Sequence, residues 1–320
     1  MGEDEKHNIL SVDVSDNALG DEGGAKMCEH LMNNKLVKRL VMNDNDLSDD
    51  AIIALAKLLG ANQSIQELEL QGNCIFTAGI TSLAESLPQN GTLQHLDLSA
   101  NQLGIGGAEV LATGLARSSL TSLNVSSNRI CGRGAEQILL ATKGTGVVFL
   151  DMARNEIGPQ GFELMCSALE SSTVNSLSLA GNRLGPDDAQ QLCESCCKCE
   201  ALQVLLLQQN DLGADGTKAL AEMLPKSKLT ALDLTGNGIG DSGAEYIASA
   251  LGTCALMGLG LGHNSITDEG VLHLVAGRNW GDLRSLELTS NAISDLGGKA
   301  LKLMAEEHLK LTVTGMDKGG

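Results

Sequence analysis

The sequence predicts an α/β solenoid of short parallel strands alternating with helices, and three observations carry that prediction. Asparagine recurs at Asn17, Asn45, Asn73, Asn101, Asn128, Asn155, Asn182, Asn210, Asn237, Asn264 and Asn291, always 27 or 28 residues apart, so eleven units run in register without an insertion. Around each asparagine the same apolar frame returns: Leu or Val five residues before it, from Val12 to Leu286; Leu, Val or Met three before it, from Val14 to Leu288; Leu or Ile two after it, from Leu19 to Ile293. Apolar residues make up 42% of the chain but aromatics only 2%, which favours many similar layers of Leu, Ile, Val, Ala and Met over one large core.

Each unit then reads as strand, turn and helix. Apolar residues two apart with polar ones between them predict a short strand with one buried face. The second half, such as Gly106 to Leu115, carries apolar residues at helical spacing behind a glycine-rich turn. The asparagine stands where the chain turns inward and backbone groups lose their sheet partners. Its carboxamide, with donors and an acceptor, can bond to them, so stacked units should form an asparagine ladder. Glycine six residues after the asparagine, replaced by Ala51 and Asp188 in two units, is expected to serve a tight entry into the helix.

The unit LQHLDLSANQLGIGGAEVLATGLARSS and its relatives resemble the long, ribonuclease-inhibitor-like class of leucine-rich repeats, over about Ile9 to Val313. The resemblance implies an α/β leucine-rich-repeat solenoid, a horseshoe with a concave parallel β-sheet and convex α-helices. Spacing agrees, because strands stack at about 4.8 Å while helices need roughly 10 Å each. The expected organisation is a short N-terminal segment at 1–8, one solenoid domain of eleven repeats at 9–307, and a terminal strand with a loose C-terminus at 308–320. Met316 stands where a twelfth ladder asparagine would fall. Little chain precedes the first repeat, so it must cap itself or be covered by a partner.

A net charge of −18 disfavours nucleic acid and anionic membrane surfaces and favours partners with a basic patch. No apolar stretch approaches the roughly 18 residues of a membrane span. Met1 to Lys6 shows neither a basic n-region nor an apolar core, so no secretion leader or lipid anchor is expected. Nine cysteines, an odd number placed mostly in helical apolar patterns, suit free thiols in a reducing compartment. The expected location is cytoplasmic, with cytoskeletal or ciliary settings included; sequons at Asn62, Asn90 and Asn124 argue weakly the other way.

The cluster Cys193, Cys196, Cys197 and Cys199 invites a metal-site reading, since a structural zinc needs about four converging ligands. In register, however, Cys193 replaces Ala56, Ala84 and Ala112, Cys196 replaces Leu31, Leu59 and Leu87, and Cys199 matches Asn34, Asn62, Asn90 and Cys254, so packing is the expected role. The scattered histidines form no paired ligand spacing and adjoin no nucleophile motif. No catalytic residue, metal or cofactor is expected.

Residues two, four and six before each asparagine should project onto the concave face. Read out, they give Asp13, Glu67, Glu69, Asp97, Asp151, Asp233 and Glu287 against Arg39 and His95, an acidic surface suited to a basic protein partner. Phe149 is the one aromatic at such a position, and Trp280, in a loop, is the other aromatic anchor or else a packing residue. Val204 and Leu206 make the eighth strand apolar on both sides, beside a tenth strand bared by Gly258, Gly260 and Gly262. Arg129, Arg154 and Arg183 flank the ladder asparagine in three consecutive units and are expected along one rim, where they could meet a carboxylate or phosphate. The expected function is a non-enzymatic protein-interaction scaffold or adaptor of undetermined oligomeric state. Two alternatives stay open: a GTPase-activating protein for a small GTPase of the Ran type, which is also built of such repeats, and a protein inhibitor of a basic enzyme.

Overall fold

The computed structural model describes residues 9–277, 279–307 and 311–314, and the chain divides into two compact units, Met1–Asn155 and Glu156–Gly320. In the first, strands β1 (Ser11–Asp13), β2 (Arg39–Val41), β3 (Glu67–Glu69), β4 (His95–Asp97), β5 (Ser122–Asn124) and β6 (Phe149–Asp151) alternate with helices α1 (Gly20–Leu31), α2 (Asp49–Ala61), α3 (Thr77–Ser86), α4 (Gly104–Leu115) and α5 (Cys131–Thr142). In the second, α6 (Gly158–Leu169) is followed by β7 (Ser176–Ser178), α7 (Pro186–Lys198), β8 (Val204–Leu206), α8 (Gly213–Met223), β9 (Ala231–Asp233), α9 (Gly240–Leu251), β10 (Gly258–Gly260), α10 (Asp268–Ala276), β11 (Ser285–Glu287), α11 (Asp295–Glu307) and β12 (Thr312–Thr314). The strands of each unit pair in chain order, all parallel. Leu40, Leu68, Leu96, Leu123 and Leu150 stand in one register row, as do Leu177, Leu205, Leu232, Leu259 and Leu286. Each unit is thus a leucine-rich-repeat solenoid with its sheet on one side and its helices on the other. The N-terminal segment 1–8 and Met316 lie outside the described residues.

The leucine rows are fully buried because each repeat is closed by its neighbours. Leu68, Leu70 and Ile75 of one repeat and Leu96, Leu98 and Leu103 of the next are all within 2% of zero exposure. A strand of three residues satisfies few of its own polar groups, so the turn after it depends on the asparagine. The Asn73 Oδ1 accepts the backbone N–H groups of Asn45 (3.1 Å) and Leu47 (3.0 Å) in the preceding repeat, while its Nδ2 donates to the Met42 (3.0 Å) and Leu70 (2.9 Å) carbonyls. Asn45, Asn128, Asn210, Asn237 and Asn264 likewise accept a backbone N–H from the preceding repeat and donate to a carbonyl there. The ladder therefore fixes each turn to the one before it.

The residue before each ladder asparagine adopts a left-handed backbone in every repeat, from Asp16 (φ 57°) to Ser290 (φ 55°), although only Gly72, Gly181 and Gly236 are glycine there. Glycine six residues after the asparagine serves a tight helix entry by close approach and not by a positive φ: a Cβ on Gly23, Gly107, Gly216 or Gly243 would lie 3.0, 3.0, 3.1 or 2.7 Å from the Cβ of Leu19, Leu103, Leu212 or Ile239 at the helix start. In three repeats a second neighbour adds to this, since a Cβ on Gly79, Gly270 or Gly297 would lie 2.7, 2.5 or 2.4 Å from Oδ1 of Asp49, Asp241 or Asp268 in the preceding repeat.

Those carboxylates form a second tie between repeats. Asp21, in the first turn of α1, accepts from Ser48 N (2.7 Å), Ser48 Oγ (2.6 Å) and Ala51 N (3.3 Å), so it caps the start of α2. Asp241 does the same for α10 through Thr267 N (2.7 Å), Thr267 Oγ1 (2.8 Å) and Gly270 N (2.9 Å). Burial pushes the Asp21 and Asp241 carboxyls up, but the hydrogen bonds from Ser48 and Ala51, and from Thr267 and Gly270, outweigh it and hold both below the usual carboxylate range. A third tie runs at the far end of the helices. Asn62 donates to the Leu31 (3.0 Å) and Asn34 (2.7 Å) carbonyls, and Asn90 to those of Leu59 (2.8 Å) and Asn62 (3.0 Å).

Asn73→Ala leaves buried donors and acceptors unpaired in two repeats and is expected to cost about 2–4 kcal/mol in urea unfolding, whereas Asn17→Ala, at an exposed position, is expected to cost less than about 1 kcal/mol. Asp21→Ala and Asp241→Ala are each expected to lose about 1 kcal/mol at pH 7. Because their folded pKa values are depressed, the stabilisation is present above the unfolded carboxylate value and disappears as pH falls through the folded one. Unfolding midpoints of wild type and variants should therefore converge between pH 7 and the acid limb, and parallel curves would refute the assignment.

Candidate functional site

On the outer face of the sheet of the first unit, two rows of side chains run across the strands. Arg39, Glu67, His95, Ser122 and Phe149 form one; Val41, Glu69, Asp97, Asn124 and Asp151 form the other. The sequence predicted this projection for Glu67, Glu69, Asp97, Phe149 and Asp151, and all five stand on that face. Around them lies an open depression of about 340 Å³, lined by Glu67, Glu69, His95, Asp97, Ser122, Asn124 and Phe149 over a floor that includes Leu68 and Leu96.

The carboxylates here are not all idle. Asp97 Oδ1 accepts from Ser99 N (2.7 Å) and Oδ2 from Asn124 Nδ2 (2.9 Å); Asp151 Oδ1 accepts from Ala153 N (2.8 Å). Asn124 makes the same turn bond to Ser126 N (3.0 Å). An acceptor four residues before the ladder asparagine thus caps the backbone N–H two residues on, which gives part of the acidic pattern a structural cause. The same bond is made by Asp13, whose carboxyl the Ser15 hydrogen bonds hold below the usual carboxylate range. At one edge, Arg39 donates to Glu69 Oε1 from Nη2 (2.7 Å) and Nε (3.1 Å), and its Nε lies 3.4 Å from Glu67 Oε2. Ser122 and Asn124, which complete the depression, carry no charge and escaped an inventory based on charge; their register position alone could have found them.

The outer face of the second unit is built differently. Asp233 accepts from Thr235 N (2.9 Å) and Gln208 Nε2 (2.8 Å), and Glu287 from Thr289 N (2.8 Å) and Gly262 N (3.1 Å). A Cβ on Gly260 would meet Asp233 Oδ1 at 2.5 Å, and one on Gly262 would meet Glu287 Oε2 at 2.6 Å. The expected bare backbone strip of β10 is therefore covered by neighbouring carboxylates at Gly260 and Gly262. Val204 and Leu206 are only half exposed. Trp280 is buried, at 4% exposure, which leaves it a packing residue of its loop.

Arg129, Arg154 and Arg183 are exposed and sit on left-handed backbone, with φ of 56°, 53° and 60°. Arg154 precedes its ladder asparagine, whereas Arg129 and Arg183 follow theirs, so the three do not occupy one equivalent position. Arg129 and Arg154 belong to the first unit and Arg183 to the second.

Seven segments, residues 5–28, 33–56, 61–84, 89–112, 118–139, 226–248 and 282–302, match the family model described as Leucine Rich repeat. The chain belongs to the leucine-rich-repeat family. Among solved structures, the Rad7–Elc1 complex in yeast is similar at 16% identity, over 93% of this chain and 71% of that one, with a TM-score of 0.58. An internalin from Listeria monocytogenes is 17% identical over 95% of this chain and 86% of its own, with a TM-score of 0.50. TLR13 in its complex with ssRNA13 is 22% identical over 85% of this chain and 34% of its own, also at 0.50. At these identities the likeness concerns the leucine-rich-repeat fold alone. No curated protein matches the chain. Leucine-rich repeats of this kind typically build interaction scaffolds and not catalysts.

Among the described residues, no helix is long and apolar enough to cross a membrane. Cys193, Cys196 and Cys199 are buried at 6%, 2% and 2% exposure, in the repeat's core and loop positions, and Cys197 is exposed. Burial pushes the Cys193 and Cys166 thiols up to about 12, and Cys196 well above its ordinary value, so none supplies a thiolate at neutral pH. With a maleimide at pH 7.5, Cys197 is expected to label in minutes while Cys166, Cys193 and Cys196 wait for denaturant. Peptide mapping of the labelled native protein checks this, and early labelling of Cys196 would contradict the packing role.

Proposed function

We propose that this protein is a non-enzymatic interaction scaffold that takes a partner protein with a basic patch on the outer sheet face of its first unit. The observation that carries this reading is the depression over β3 to β6. It combines the carboxylates Glu67, Glu69 and Asp97, with Asp151 beside them, and an exposed phenyl ring, Phe149 at 37% exposure. Phe149 sets an aromatic side chain, the residue type that most often anchors an interface, directly beside those carboxylates. The net charge of −18 supports steering of a basic partner toward it. Buried free thiols favour a reducing, cytoplasmic setting.

Crosslinked capture from native lysate, comparing wild type with the double variant Asp97→Lys and Asp151→Lys, tests the reading. The expected outcome is a partner set present with wild type and reduced at least about tenfold with a variant that keeps its helical circular dichroism. Identical captures would remove the sheet face from the function.

A further inference from the structure

The depression has a more specific shape than an acidic patch, and the shape follows from one small residue. Register places Ser122 of β5 between His95 of β4 and Phe149 of β6 in the same row. Parallel strands lie about 4.8 Å apart, so the His95 and Phe149 backbones stand about 9.6 Å apart with only a hydroxymethyl group between them. His95 and Phe149 therefore border the low position over Ser122, a slot in the row, from either side, and all three line the depression. His95 and Phe149 are both exposed. In the next row, toward the ladder, Asp97 and Asp151 flank Asn124 in the same arrangement.

The geometry points to a ligand class: an arginine side chain of the partner, inserted edge-on between His95 and Phe149 over Ser122, with its guanidinium directed to the Asp97 and Asp151 carboxylates. This deepens the proposed function and rests on it. A cation over Ser122 lies about 5 Å from the Phe149 position, inside the roughly 6 Å reach of a cation–π contact. A planar cation suits the gap best, because it stacks flat on the Phe149 ring while its edge stays free to reach the carboxylates. It is arginine and not lysine, because guanidinium is weakly hydrated, stacks on ring faces and presents a fork of donors to carboxylates, whereas ammonium is a compact, strongly hydrated point charge. The same sheet face already holds a guanidinium on carboxylates: three strands from Ser122, Arg39 spans Glu69 and Glu67 with Nη2 2.7 Å from Glu69 Oε1. The slot offers the same carboxylate chemistry, with a ring beside it and the cation left to be supplied from outside.

Titration of the full-length protein with nona-arginine and nona-lysine peptides at 150 mM salt, followed by calorimetry, tests the assignment. Wild type is expected to bind nona-arginine on the order of five- to tenfold more tightly than nona-lysine. Ser122→Phe, which fills the slot on a solvent-facing strand position that tolerates an aromatic, should bring nona-arginine down to the nona-lysine level. Phe149→Leu, which keeps the apolar bulk and removes the π face, should do the same, and in both variants nona-lysine should lose less than nona-arginine. The double variant Asp97→Lys and Asp151→Lys should lose both peptides. Equal affinity of the two peptides for wild type, or an arginine preference that survives in Ser122→Phe and Phe149→Leu, would overturn the slot while leaving the basic-partner reading intact. Failure of either peptide to bind, or undiminished binding to the double variant, would overturn both.

Discussion

The asparagine carboxamide that bridges consecutive turns is the interaction on which the rest of the structure depends. Strands of three residues cannot close their own hydrogen bonds, and the turn after each strand brings backbone donors and acceptors into a dry interior. A carboxamide is the one side-chain group of that size with both a donor pair and an acceptor. Asn73 uses all of it, accepting from Asn45 and Leu47 and donating to Met42 and Leu70. Because every bridge runs to the preceding repeat, the asparagine of one unit completes the turn of another. That obligation is why the period holds at 27 or 28 residues, since an insertion would leave a turn without its partner.

The helical side is held by charge in place of amide. Asp21 and Asp241 each reach from their own helix to cap the next, and at Gly79, Gly270 and Gly297 the close approach of such a carboxylate leaves no room for a Cβ. The two ties divide the labour: the carboxamides hold the strand edge and are insensitive to pH, whereas the carboxylate caps work only when ionised. Between them lie the leucine layers, which supply most of the burial but little of the register, because one aliphatic layer resembles the next.

Against so uniform a frame, function is carried by departures from it. The acidic residue four before the ladder asparagine is part of the frame, since Asp97, Asp151 and Asp233 each cap a backbone N–H in their own turn. It is therefore weak evidence for a partner by itself. His95, Ser122 and Phe149 have no such structural duty, and the outer position they share is set by strand geometry alone. The depression they form is where the first unit differs from a plain repeat. In the second unit the corresponding surface is consumed internally, by Asp233 leaning over Gly260 and Glu287 over Gly262.

By itself the sequence determined the repeat, its strand–turn–helix order, the buried leucine rows and the asparagine ladder, because all of these are periodic and each period is written by residue type. It also determined which side chains face outward from the strands, since alternation on a strand is a matter of counting. Tertiary structure alone decided which of those outward residues act together. The left-handed turn residue before each ladder asparagine was hidden because Asp, Ala, Ser, Arg, Gln and His occupy it as well as glycine. At Gly79, Gly270 and Gly297 part of the reason for the glycine lay in another repeat's aspartate. The slot over Ser122 lay in a row whose members are 27 residues apart in the chain and about 5 Å apart across the sheet. Stacking converts sequence period into spatial neighbourhood, and chemistry that depends on neighbours in adjacent repeats appears only once the repeats are stacked.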